Sequence, residues 1–86
     1  MTQTYTMRIR TGESPMAIES EFGNIPHEKI TKAMSMAILA FRSVEVTASE
    51  TGEIIFSFYK DYNFFTPVYG YGEMLSMLCG ICYGVD

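Results

Sequence analysis

The sequence predicts an α+β fold, with an antiparallel sheet of three or four strands and two or three helices packed on one face of it. Three patterns predict this. Residues 5–11 and 44–49 alternate apolar and polar side chains, the period of a half-buried strand. The short turn sequence Glu50-Thr51-Gly52 joins the second of these runs to another strand-like run, with glycine where a hairpin loop tolerates positive φ. Residues 26–42 repeat apolar side chains at three- and four-residue steps, the period of an amphipathic helix.

Taken in order, the first strand sets Tyr5, Met7 and Ile9 on one side and Thr4, Thr6, Arg8 and Arg10 on the other, and Gly12 ends it. Residues 15–22 admit two readings. Ser14 as N-cap and Pro15 at the first helical position, with Gly23 as terminator, make a short helix. Alternatively Met16, Ile18 and Phe22 oppose Ala17, Glu19 and Glu21 in a strand, and residues 12–15 become a turn. The helix over 26–42 then places Pro26 in its first turn and sets Ile30, Ala33, Met34, Ala37, Ile38 and Phe41 on a core stripe. Lys29, Lys32 and Ser35 lie opposite. Glu28 near its start and Arg42 near its end both suit the helix dipole.

Val44, Val46 and Ala48 oppose Glu45, Thr47 and Ser49 in the next strand. The return strand, 53–59, has Ile54, Phe56 and Phe58 on one side and the half-polar set Ile55, Ser57 and Tyr59 on the other. Residues 60–63 turn the chain, and 64–69 form a further strand that Pro67 confines to an edge. Gly70 and Gly72 interrupt, and a last helix spans 73–83. Met74, Leu75, Met77, Leu78, Ile81 and Cys82 make it apolar nearly all round. Such a helix is buried on several sides, so it either threads the core or meets another chain with its outer face. It is too short to span a bilayer. Both long helices are expected over the Ile54, Phe56 and Phe58 side of the sheet.

Length fits one domain over 1–86, with no repeat, linker or low-complexity run. A chain that is 48% apolar and 19% charged has the makings of a core without staples. The net charge of −4 opposes a phosphate backbone, so direct nucleic-acid binding is not expected, whereas a basic protein surface attracts it. The N-terminal residues carry neither a basic segment nor an apolar one, and neither terminus has a lipidation signal, so a cytoplasmic location and no membrane association are expected.

The chemistry-bearing residues point away from catalysis. Cys79-Gly80-Ile81-Cys82 has the spacing of a redox motif but falls late in a helix, where the dipole disfavours a thiolate. A zinc site needs two further ligands, and the chain has one histidine and no second cysteine pair. Two small buried thiols are the expected reading. His27 has no nucleophile or orienting carboxylate placed by spacing, and is expected to face solvent or cap the helix. Of the methionines, Met34, Met74 and Met77 fall on core stripes, with Met36 and one of Met74 or Met77 left for the surface. No catalytic residue, cofactor or metal is expected, and the chain reads as no enzyme.

The most specific feature is aromatic. Eight of the twelve aromatic residues fall within 56–71. Phe56, Phe58, Phe64 and Phe65 suit a core, while Tyr59, Tyr62, Tyr69 and Tyr71 remain as a contact strip, because tyrosine buries a ring and still offers a hydroxyl. Glu45, Glu50, Glu53 and Asp61 fall in or beside the same hairpin and form an acidic patch suited to a basic partner. Together these eight residues predict a protein-binding module: a small inhibitor or regulator of a larger, basic, nucleic-acid-handling protein. The length, acidity and absence of motifs are of the type found in anti-defence, anti-CRISPR-like proteins of phages and mobile elements, a likeness that no single residue carries. The alternative is a homo-oligomeric structural or regulatory domain whose seam is the apolar C-terminal helix, at Leu78, or a sheet edge.

Overall fold

In the computed structural model, which describes residues 3–11, 18–60 and 70–84, the elements are β1 (Thr4–Thr11), β2 (Ile18–Pro26), α1 (His27–Ala40), β3 (Ser43–Ala48), β4 (Ile54–Tyr59) and α2 (Tyr71–Tyr83). The strands form one antiparallel sheet in the order β2-β1-β3-β4. The α+β expectation holds, with four strands and two helices among the described residues.

Alternation decides which side of the sheet is dry. Met7 and Ile9 from β1, Phe22 and Ile25 from β2, and Val44 and Val46 from β3 all point to the helical side and are buried. α1 lies over the centre of the sheet and meets them with Ile30, Ala33, Ala37 and Ala40. Its three alanines let the helix sit close to the strands. Phe41, at the corner between α1 and β3, is fully buried and closes the core between the two layers. α2 packs beside α1 and over β2, burying Met74, Leu78 and Cys82, one residue per turn.

Residues 18–26 form a strand, so the helical reading of 15–22 fails over its described part, 18–22. Pairing with β1 over the length of the segment satisfies backbone groups that a helix of about two turns leaves open at its ends. The pairing contains a bulge. Met7 faces Phe22 but Tyr5 faces Ile25, so β2 has one residue too many, and Asn24 takes it up at φ 53°. Asparagine is among the few residues other than glycine that enter this region readily. The bulge restores Ile25 to the core side.

α1 is shorter than the periodicity predicts. Pro26 stands outside the helix as its N-cap residue, and Ala40 is the last helical position. Phe41 is extended, and the Arg42 amide donates to the Arg10 carbonyl of β1 instead of continuing the helix. The Arg42 amide thus belongs to the sheet and not to the helix ladder. Lys60, arriving from the end of β4, reaches the helix end: its Nζ donates to the carbonyls of Ile38 at 2.9 Å and Leu39 at 3.2 Å. Burial lowers the Lys60 pKa.

β4 departs from expectation at Ile54. Val46 faces Phe56 but Thr47 faces Ile54, so a bulge at Ile55 shifts the register and sets Ile54 opposite a residue of the helix-free side. Phe56 and Phe58 pack against the core, whereas Ile54 is 59% exposed. The helices cover Phe56 and Phe58 but not Ile54. The expected turn at 60–63 and strand at 64–69 lie, from Asp61 on, outside the described residues.

Candidate protein-docking surface

The helix-free side of the sheet is built by the other half of the same alternation. Arg8 sits at its centre, because β1 is flanked by β2 and β3 and the register puts Glu21 and Glu45 on either side of it. Its guanidinium lies 3.2 Å from Glu21, 3.6 Å from Glu19 and 4.0 Å from Glu45. These are exposed cross-strand pairs that fix register more than they stabilise, each contributing a few tenths to about 1 kcal/mol. Glu45 is thereby separated from the acids it was grouped with in the sequence. It shares an internal cation in mid-sheet, several residues along β3 from the hairpin tip.

Glu50 and Glu53 do occupy that tip. Both are exposed, and neither makes an ion pair among the described residues. The loop holding them is ordered by its own backbone. The Gly52 amide donates to the Ala48 carbonyl at 2.8 Å, and Gly52 has φ 75°. The Ala48 amide donates to the Glu53 carbonyl, and the Glu53 amide to Thr51 Oγ1. Beside the two carboxylates stand Ile54 and Ile55, 59% and 51% exposed. Sequence periodicity missed Ile54 because a bulge does not announce itself in an alternating run.

The tyrosines divide. Tyr59, at the far end of β4, is 62% exposed; Arg42 stacks over its ring at 5.5 Å and donates to its hydroxyl at 3.0 Å. Tyr71, the first residue of α2, is turned inward. Its hydroxyl and Ser20 Oγ are 2.7 Å apart, and its ring meets Phe41 edge-on at 6.0 Å. Tyr71 ties α2 to β2. Asp61, Tyr62 and Tyr69 lie outside the described residues.

α2 does not thread the core. It packs through one stripe, with Leu75 and Ile81 half-buried beside it, and leaves Met77, Cys79, Gly80 and Tyr83 outside. Leu78, expected at an oligomeric seam, is fully buried against the sheet layer. Tyr83 is partly used as well, donating to the Gly23 carbonyl at 2.6 Å. The cysteines separate in the same way. Cys82 is buried but Cys79 is exposed, which corrects the expectation of two buried thiols. Burial pushes the Cys82 thiol up to about 11, with Cys79 adding to the rise and Lys29 opposing it. Met74 is the buried one of its pair and Met77 the exposed one, while Met34 and Met36 are both half-buried against the core.

His27 opens α1 and is exposed; its Nδ1 lies 2.9 Å from the Tyr5 hydroxyl. An open groove of about 350 Å³ between the helices is lined by Glu28, Lys29, Lys32, Met77, Gly80 and Ile81. Lys29 there donates to the Gly84 carbonyl at the end of α2. Among the described residues no three His, Cys, Asp or Glu side chains come together as metal ligands, and no helix is long and apolar enough to cross a membrane. The chain matches no family model, no curated protein and no solved structure.

Proposed function

We propose that this protein is a non-enzymatic binding domain that docks on a basic surface of a larger protein through the tip of its β3–β4 hairpin. The observation that carries this is the contrast between two sets of carboxylates. Glu19, Glu21 and Glu45 share Arg8, whereas Glu50 and Glu53 have no cation among the described residues and stand next to exposed Ile54 and Ile55. Unshared charge beside apolar surface combines steering with burial: the carboxylates orient the encounter, and the isoleucines supply area to desolvate.

The class of partner follows from the sign of the charge. A groove that holds nucleic acid is cationic, and carboxylates at its rim occupy phosphate positions. The reading is therefore of a small inhibitor or regulator of a nucleic-acid-handling protein, acting inside a cell, of the kind mobile elements use against host defence. Tyr59 is the aromatic anchor at the opposite end of β4.

The test is capture from a bacterial lysate on immobilised protein, comparing wild type with Glu50→Lys/Glu53→Lys. The expected partner is basic, is released by a duplex DNA competitor, and is lost in the double variant. Capture that survives both the charge reversal and 1 M salt, where screening acts over about 3 Å, refutes the reading. A second reading, self-association, is not favoured through α2, whose Leu78 is committed to the core; a sheet edge is the remaining seam, since β4 pairs with β3 alone among the described residues.

A further inference from the structure

The groove between α1 and α2 offers what the β3–β4 tip lacks. It is open, about 350 Å³ in volume, and lined by Glu28, Lys29, Lys32, Met77, Gly80 and Ile81. Two ammonium groups stand there against one carboxylate. Lys32 is exposed and makes no ion pair among the described residues, and Lys29 is held in place by its bond to the Gly84 carbonyl. The apolar lining comes from α2, where Met77 is 39% exposed and Ile81 half-buried. Gly80 keeps the groove wide, since a Cβ at that position has nothing within 4 Å of it.

Taking the tip as a docking element, as the proposed function does, we propose that the tip of one copy of this chain seats in the α1–α2 groove of a second copy. Glu50 and Glu53 meet Lys29 and Lys32, and the exposed isoleucines meet Met77 and Ile81. Charge and apolar surface match together. Glu50 and Glu53 make no ion pair among the described residues, and Ile54 and Ile55 follow them in the chain, each more than half exposed. Among the described residues no other carboxylate without an ion pair adjoins, along the chain, an aliphatic side chain so exposed. The tip is also a preformed knob. Its loop is bonded to itself through the Gly52 and Ala48 amides, so little conformational freedom is lost on docking.

Leu78 stays in the core in this contact, and no sheet edge is paired. Each copy carries a net charge of −4. At physiological ionic strength fields are screened over about 8 Å, so the charges that meet at the contact outweigh the totals. One contact leaves each copy either a tip or a groove to spare. A reciprocal second contact closes the pair as a two-fold dimer, and further copies extend it as a chain. A single hairpin tip gives an interface at the small end of the protein–protein range, below about 1,200 Å², which suits micromolar association. Self-association covers Glu50 and Glu53, so it competes with a basic partner for the same carboxylates.

Sedimentation of the purified chain from about 1 to 200 μM, a range that brackets micromolar association, tests this. No other protein is present, so self-association can fail while capture from a lysate succeeds, and the reverse. The wild type is expected to associate reversibly. Glu50→Lys/Glu53→Lys reverses the tip, and Gly80→Leu fills the groove from a position with open space around it. Each variant alone is expected to sediment as a monomer with an unchanged circular dichroism spectrum. Their equimolar mixture, which again holds one working tip and one working groove, is expected to form a dimer and nothing larger. Lys32→Glu has no ion pair of its own to lose and is expected to weaken association about tenfold, which keeps the test decisive should Gly80→Leu fail to fold. A wild type that stays monomeric throughout the range overturns the proposal. So does association indifferent to the tip, to Gly80→Leu or to Lys32→Glu, and so does a mixture that stays monomeric.

Discussion

Tyr71 separates a structural tyrosine from a docking one, and a double-mutant cycle with Ser20 measures which it is. The two hydroxyls are 2.7 Å apart and partly buried, joining the start of α2 to the middle of β2 across 51 residues of sequence. Tyr71→Phe removes the hydroxyl and keeps the ring edge-on to Phe41. A hydrogen bond of this kind contributes about 0.5–1.5 kcal/mol net. Tyr71→Phe and Ser20→Ala are each expected to cost about 1 kcal/mol, and the double variant little more than either, which gives a coupling energy near 1 kcal/mol. In a chain of this length each single loss lowers the melting temperature by about 4–8 °C. Urea unfolding followed by circular dichroism, with unchanged m-values, reads the four free energies. If the singles add to within about 0.3 kcal/mol, the bond does not hold α2 to the sheet. Loss of partner capture without loss of stability in Tyr71→Phe would return that hydroxyl to the docking surface.

The remaining expectations concern the thiols and the hairpin. An aromatic disulfide reagent at pH 8 should modify Cys79 rapidly and Cys82 only at the rate of unfolding; comparable native rates would contradict the burial of Cys82. Because the folded thiol of Cys82 titrates near 11 and its ordinary value is 9.0, both states hold the proton below pH 9. Between pH 9 and 11 the unfolded state releases it first, so stability falls by up to about 1.4 kcal/mol per pH unit. Cys82→Ala should lack that component, so its deficit against wild type narrows across the window; a constant deficit refutes the shift. Gly52→Ala places a side chain at φ 75° and should cost about 1–2 kcal/mol in urea unfolding, and a neutral result would mean that the hairpin adopts another turn.

The elements were legible where a pattern had room to repeat. β1, β3 and α1 each carry several periods of one spacing, and Met7, Ile9, Val44, Val46, Ile30, Ala33 and Ala37 are buried as their periods require. Residues 15–22 were ambiguous because Ser14-Pro15 and Gly23 read equally as the ends of a short helix, and the strand that decides the matter runs on past that glycine to Pro26 through a bulge at Asn24. Ile54 was misplaced by the same device on β4. A bulge is a fact about the pairing of two strands, and one strand's sequence contains only half of it. The end of α1 was misread for a related reason. Arg42 had the right charge in the right place, but its amide is claimed by Arg10 and the helix end is served by Lys60 from 18 residues downstream. Capping by a distant strand leaves no local mark.

The docking surface shows the same division between what a chain lists and what a fold assembles. The sequence gathered Glu45, Glu50 and Glu53 because they are close along the chain. The register with β1 puts Glu45 opposite Arg8, which it shares with Glu19 and Glu21, and the hairpin leaves the other two without a cation among the described residues. Composition alone cannot make that distinction, since it depends on which strand lies next to β3. The contrast between the sheet edges, by comparison, was present in the letters from the start: two glutamates, an asparagine and a proline in β2, and none of these in Ile54–Tyr59. Reading it required knowing that these two strands, and not β1 or β3, stand at the edges of the sheet among the described residues. An uncharged run in an interior strand is ordinary core chemistry. The same run at the edge of the described sheet leaves Ile54, Ile55 and Tyr59 more than half exposed.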